Sequence, residues 1–261
     1  MKFFLAPMQG LTGYTVRNAF HHHFDYIDKY YTPFIPAAKR MNAKIKRDID
    51  PVNNDGITLI PQAMSIVADE VIDLHRQLVP YGYDEINVNL GCPSGTVVSK
   101  KRGSGILAYP DMLDSFLDEL YTKADFPVSI KTRVGFNDDE LWPKLIEIYS
   151  KYPISELTVH PRVQKDFYKN TPRMDDFALA MQKINPDKTI LCYNGDITDT
   201  NSFNALTDCF PDIDEIMIGR GLFANPALIT ELKGISMDKA ELCERLKNWH
   251  DEILSGYLSI F

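Results

Sequence analysis

The chain has 261 residues, 44% of them hydrophobic and 25% charged, which excludes a disordered chain and is long enough to bury a core without disulfide staples. Its 28 Lys and Arg against 36 Asp and Glu leave a net charge of −8. A nucleic-acid partner must therefore be gripped by a local basic patch, because the surface as a whole repels phosphate.

The first ten residues, MKFFLAPMQG, carry one Lys and an apolar run broken at Pro7, too short for a signal-peptide core. No stretch approaches the ~20 apolar residues of a membrane span. Cys92, Cys192, Cys209 and Cys243 form no CxxC pair, which favours a reducing compartment. A cytoplasmic, monomeric protein with no membrane attachment is expected.

In chain order, short β-branched or aromatic runs predict strands over 3–8, 31–35, 58–63, 85–90, 128–133, 156–160, 189–193 and 215–218. The second is weakened by Pro33 and Pro36. Helical patterns lie between them, over 69–78, 112–121, 141–149 and 177–184. Strands alternating with helices predict parallel βαβ units, and eight of them fit an α/β fold of the (β/α)8 TIM-barrel kind over 1–234. A doubly wound open sheet would use the same elements. After it, 237–257 places Leu242, Leu246, Trp249, Ile253 and Tyr257 on one helical stripe that must pack on something. Residues 235–261 thus look like the start of a C-terminal helical domain, cut short.

Active sites of such barrels lie at the C-terminal strand ends. Here those ends are polar: Gln62; Asn87 and Asn89; Lys131 and Arg133; His160 with Arg162; Asn194; and Arg220. Each alone reads as a solvated end, but their convergence on one mouth implies a polar ligand, because buried unpaired polar groups cost a few kcal/mol each. Asn194-Gly195-Asp196 and Gly219-Arg220-Gly221 follow the last two strands, where barrels bind phosphate. A lone Gly-x-Gly reads as a tight turn. Two at these positions, with a helix expected to start near Asn225-Pro226, point to a bound phosphate group.

Cys92 follows the fourth strand in Asn89-Leu90-Gly91-Cys92-Pro93-Ser94, where a thiol of pKa about 8.5 can donate a proton. Cys192, Cys209 and Cys243 read as small buried hydrophobes. Lys100, Lys101 and Arg102 make the 97–105 loop a mobile, cationic one. His21, His22 and His23 point about 100° apart on a helix and cannot share one ion, so no metal is expected. The run Lys39, Arg40, Lys44, Lys46 and Arg47 is one of the few places where a polyanion could dock.

Taken together, APMQGLTG (6–13), Pro61-Gln62, NVNLGCPS (87–94), GSGIL (103–107), SIKTRVG (129–135), VHPR (159–162), YNGDI (193–197) and IMIGRGLFANP (216–226) resemble the tRNA-dihydrouridine synthase family of flavin enzymes. The motifs run in family order to about residue 230. The resemblance implies an FMN barrel that reduces the C5=C6 bond of a uracil in tRNA. NADPH reduces the flavin and leaves, hydride passes to C6, and Cys92 protonates C5. It places Pro7, Met8, Gln62, Lys131 and His160 around the isoalloxazine, and Asn194, Gly195, Asp196, Gly219 and Arg220 at the cofactor's phosphate end. Asn89, Lys131 and Arg133 would touch the uracil, with Arg162 and Tyr168 at its border. Asn87, Pro161 and Gly13 stand where relatives commonly carry Asp, Gly and Asp. The shortened helical domain implies weakened tRNA affinity.

A uracil stacked inside folded tRNA must be flipped out to be reached, which suits a mouth of amide and cationic groups. There is no Gly-x-Gly-x-x-Gly unit for a resident nicotinamide cofactor. Rival readings are a flavin barrel acting on a free pyrimidine or other small enone, a Lys131 Schiff-base aldolase, and a non-enzymatic RNA-binding module.

Overall fold

The computed structural model describes residues 1–37 and 40–259; Lys39 of the basic run, and Ile260 and Phe261 at the chain end, lie outside them. Among the described residues the strands are β1 (Lys2–Leu5), β2 (Lys29–Tyr31), β3 (Ile35–Pro36), β4 (Leu59–Ile60), β5 (Gln62–Met64), β6 (Ile86–Leu90), β7 (Val128–Gly135), β8 (Glu156–Val163), β9 (Ile190–Tyr193) and β10 (Glu215–Ile218). All eight expected strand positions are occupied. There are ten segments because two positions are split, the second at Thr32–Phe34 around Pro33 and the third at Pro61. Proline offers no N–H to a ladder, so each split falls where the chain must break pairing. The helices are α1 (Tyr14–His23), α2 (Ala43–Ile49), α3 (Ala68–Leu78), α4 (Gly95–Val98), α5 (Pro110–Lys123), α6 (Trp142–Ser150), α7 (Met174–Lys183), α8 (Thr200–Cys209), α9 (Arg220–Ala224), α10 (Leu228–Leu232) and α11 (Lys239–Leu258). This strand–helix succession is that of a (β/α)8 barrel.

The contacts divide the chain into two compact units. One holds residues 1–33, 42–60 and 196–261. Its strands pair in parallel, β10 with β1, β1 with β2 and β2 with β4. Phe4, Leu5, Ile216 and Met217 are fully buried there, each side chain contributing roughly 1.5–3 kcal/mol by leaving water. Helix α11 lies on α1: the Trp249 ring meets Phe20 edge-on at 5.3 Å. His22 Nδ1 and His23 Nε2 reach the two Glu252 oxygens at 2.9 and 2.8 Å.

The other unit holds residues 34–41 and 61–195, with the ladder β3-β5-β6-β7-β8-β9. Along β8 every residue is buried. The two-residue period separates Leu157 and Val159 from Glu156, Thr158, His160 and Arg162 on the opposite face. The same face carries Ser129, Lys131 and Arg133 on β7, Asn87 and Asn89 on β6, and Gln62 on β5. Parallel register sets Gln62 beside Asn87, Asn89 beside Lys131, and Arg133 beside His160.

Candidate active site

The polar face of the second unit is wired as a directed chain of amides. Asn87 Nδ2 donates to Ser129 Oγ at 3.0 Å, and Gln62 Nε2 donates to Asn87 Oδ1 at 2.8 Å. Asn89 Nδ2 donates to Gln62 Oε1 at 2.8 Å. Asn89 Oδ1 then accepts the backbone N–H groups of Gly91 at 3.1 Å and Cys92 at 2.8 Å. An amide is the right group at each step, because it donates at one end and accepts at the other.

Cys92 leaves β6 on a turn fixed from several sides. Its carbonyl accepts Ser104 N at 3.1 Å and Ser104 Oγ at 2.8 Å. Gly103 has φ +54, and a Cβ there would fall 2.7 Å from the Cys92 carbonyl oxygen, so only glycine closes the turn. The 97–105 segment, expected as a mobile loop, runs from the end of α4 through a turn over 99–101 into a 3-10 helix over Gly103–Ala108. Arg102 Nη2 is paired with Glu70 at 3.1 Å. Burial pushes the Cys92 thiol above its ordinary range, against the opposing pull of the Ser94 N–H and the Arg133 and Lys131 charges. The group is therefore a thiol, and a proton carrier, near neutral pH.

Lys131 Nζ donates to Asn194 Oδ1 at 2.5 Å. Burial, helped by the Arg133 charge, lowers its pKa to about 7. Arg133, fully buried, spends Nε on Gly91 O at 3.0 Å, Nη1 on Val163 O at 2.9 Å and Nη2 on Phe167 O at 2.9 Å. It thus ties the Cys92 turn to the segment after β8. Gln164 Nε2 adds a second tie, to Pro93 O at 2.9 Å. Arg162 donates Nε to Asn170 O at 2.5 Å and Nη1 to His160 Nε2 at 3.2 Å. Since Arg only donates, His160 Nε2 is the acceptor and its proton sits on Nδ1. The His160 and Tyr168 rings stack at 6.1 Å.

In the first unit, Arg220 Nη2 pairs with Asp196 Oδ1 at 2.8 Å, with its side chain half exposed. A helix, α10, starts at Leu228 just after Asn225-Pro226 as expected, and a further short helix, α9, begins at Arg220 directly after Gly219. Gly221 packs on Ile197, whose carbonyl oxygen a Cβ would approach to 2.1 Å. Thr12 Oγ1 accepts Met8 N at 2.9 Å, fixing the Pro7-Met8 turn. Beneath it lies Arg17, fully buried, which sequence reasoning missed. Its Nη1 donates to Thr12 O at 2.7 Å and Asp48 Oδ2 at 3.2 Å, and Nη2 to Asp48 O at 2.6 Å and Asn54 Oδ1 at 2.8 Å. Asp48 also accepts Tyr14 N at 2.8 Å.

Lys44, Lys46 and Arg47 are exposed on α2, capped by Asn42, and Arg40 is exposed as well. Of the other cysteines, Cys192 is buried as expected, whereas Cys209 and Cys243 are exposed. Among the described residues no helix is long and apolar enough to cross a membrane.

The fold class is matched by a solved structure, morphinone reductase, with a TM-score of 0.60 over 92% of this chain and 88% of that one, at 11% identity. The molecule is an α/β barrel of that class. A Staphylococcus aureus protein named probable tRNA-dihydrouridine synthase is 34% identical over 154 residues, 58% of this chain and 46% of that protein. The tRNA-dihydrouridine synthase B of Pasteurella multocida is 26% identical over 243 residues, 90% of this chain and 69% of its own length. The matches thus span about half to two thirds of those relatives. The profile of the dihydrouridine synthase (Dus) family matches residues 4–253, and the chain belongs to that family.

Proposed function

We propose that this chain reduces the C5=C6 bond of a uridine in tRNA to dihydrouridine, with FMN as its resident cofactor, NADPH as reductant and Cys92 as the proton donor. The observation that carries this reading is the Cys92 turn, a thiol kept protonated by burial and held by Asn89, Ser104 and Arg133.

The residues suit a flavin. Lys131 beside Asn194 offers a cation whose charge can be held or lost near neutral pH, suited to a ring that becomes anionic on reduction. Gln62 and His160 share the polar face with Lys131 and would line the ring with it. Gly219 presents bare backbone, its absent Cβ leaving 3.4 Å to Ala6 Cβ. With Arg220 it would serve the phosphate, and Asp196 aims the Arg220 guanidinium. When bound, the flavin supplies the hydride.

The chain's own side chains supply the rest. Cys92 holds the proton destined for C5 of the uracil, and Asn89 and Arg133 keep its turn in place. Both retain donor hydrogens for the base edge, and Arg162 and Tyr168 border it. The exposed cations of α2 give an acidic protein a local phosphate-binding surface.

Incubating the purified chain with NADPH and unmodified tRNA, then digesting to nucleosides for mass spectrometry, tests the proposal. It predicts a yellow protein and a uridine gaining two hydrogens. A colourless chain that added FMN cannot reconstitute contradicts it, as does turnover of free uracil without turnover of tRNA.

A further inference from the structure

The segment after β8 carries a surface of which the proposed chemistry uses only Tyr168. Lys165, Phe167, Tyr168 and Lys169 are all exposed, Phe167 at 45% and Tyr168 at 49%. The acidic residue among them, Asp166, is buried, accepting Val163 N at 3.0 Å and paired with Arg173. Its charge is turned inward and neutralised. Lys165 and Lys169 have no ion-pair partner among the described residues. In a chain of net charge −8 the segment therefore shows solvent a cation, two aromatic rings and a second cation.

The backbone there is not relaxed. Phe167 has φ +50 and ψ −94, a conformation side chains other than glycine rarely adopt, costing on the order of 1–3 kcal/mol. It is held by Arg133 Nη2 on the Phe167 carbonyl at 2.9 Å and by Phe167 N on Gln164 O at 3.1 Å. Arg133 and Gln164 are also the residues that grip Gly91 and Pro93 either side of Cys92. The exposed phenyl ring is thus presented on a scaffold shared with the thiol turn. A ring that gains little from burial yet sits on strained backbone calls for a role outside the fold.

We propose that Phe167 is a stacking platform for a nucleobase next to the flipped uridine, with Lys165 and Lys169 receiving the flanking phosphates. The inference rests on the function proposed above and extends it to the unpaired nucleotides around the target. Extruding a base leaves its neighbours unstacked, and an aromatic face restores about 1–3 kcal/mol per base whatever the base is. Lysines on both sides of the ring match the alternation of base and phosphate along a strand.

The test uses the full chain with unmodified tRNA and with an RNA hairpin whose loop places one uridine between two 2-aminopurines. Phe167→Ala is expected to raise the KM for tRNA roughly tenfold or more, with RNA-independent NADPH oxidation unchanged. It should also leave the bound 2-aminopurine brighter than in wild type, and Phe167→Trp should restore both values. Phe167→Gly relieves the backbone, so its melting temperature should hold or rise while RNA affinity falls, an outcome that a packing role for the ring forbids. Lys165→Ala with Lys169→Ala should flatten the salt dependence of binding. Wild-type turnover of tRNA with Phe167→Ala and Phe167→Gly equal to wild type in KM and fluorescence overturns this inference alone. A wild-type chain that neither binds nor reduces tRNA overturns it together with the reading beneath it.

Discussion

Asn89 turns its carboxamide oxygen onto the backbone N–H of Cys92 at 2.8 Å while its nitrogen donates to Gln62 at 2.8 Å. One residue of β6 therefore joins the buried amide chain to the turn that presents the thiol. Asn89→Ala removes both links. It should lower dihydrouridine formation about 100-fold, the scale at which a misplacement of about 1 Å acts. Flavin content and NADPH oxidation should hold, as followed by absorbance and by mass spectrometry of the nucleosides.

Arg17 is the buried counterpart of that network in the first unit, with Thr12, Asp48 and Asn54 arranged around one guanidinium. Arg17→Met leaves those acceptors without their donor. A loss of about 3–5 kcal/mol in urea denaturation is expected, the range for breaking a buried charged pair.

Lys131 gives a pH signature. Its amine is lowered to about 7, chiefly by burial, whereas in the unfolded chain it titrates near 10.5. Below 7 both states are protonated and the fold bears the whole cost of burying the charge. As pH rises from 7 toward 10.5 the unfolded state holds the extra proton, so this penalty is progressively relieved. Lys131→Met should therefore raise the melting temperature more at pH 6 than at pH 10. Equal shifts at the two values would contradict the assignment. In the same account, uridine reduction that uses the Lys131 charge declines as pH passes upward through about 7.

Much of this was legible because barrel strands combine two strong signals, a short apolar run and a polar residue at its end. All eight strand positions follow from the short apolar runs, and the pairing of Asn87 with Asn89 and of Lys131 with Arg133 on one face follows from a two-residue period. The splits at Pro33 and Pro61 follow from the missing N–H, although only the first was anticipated. The partners of those residues were not legible. Ser129, Gln164 and Asp166 look like ordinary strand and loop residues until register and the turn after β8 bring them to Asn87, Pro93 and Arg173.

Arg17 sits in α1 with no motif around it, and only tertiary packing closes over it. Asn225-Pro226 resembles a helix start, and α10 begins just after it at Leu228, with Asn225 accepting Ala227 N at 3.1 Å. Cys209 and Cys243 read as small buried hydrophobes, but both are exposed. Three cations in 97–105 suggested a loose loop, and glycine at 103 with the Ser104 bonds to Cys92 fastens its C-terminal end to the thiol turn.

The proton-donor role of Cys92 is tested most directly by Cys92→Ala in single turnover, following the flavin bands during NADPH addition and then dihydrouridine after tRNA addition. The account predicts reduction by NADPH at the wild-type rate and a fall of roughly 10²–10⁴ in dihydrouridine formation. Dihydrouridine formed at the wild-type rate by the alanine variant would contradict it.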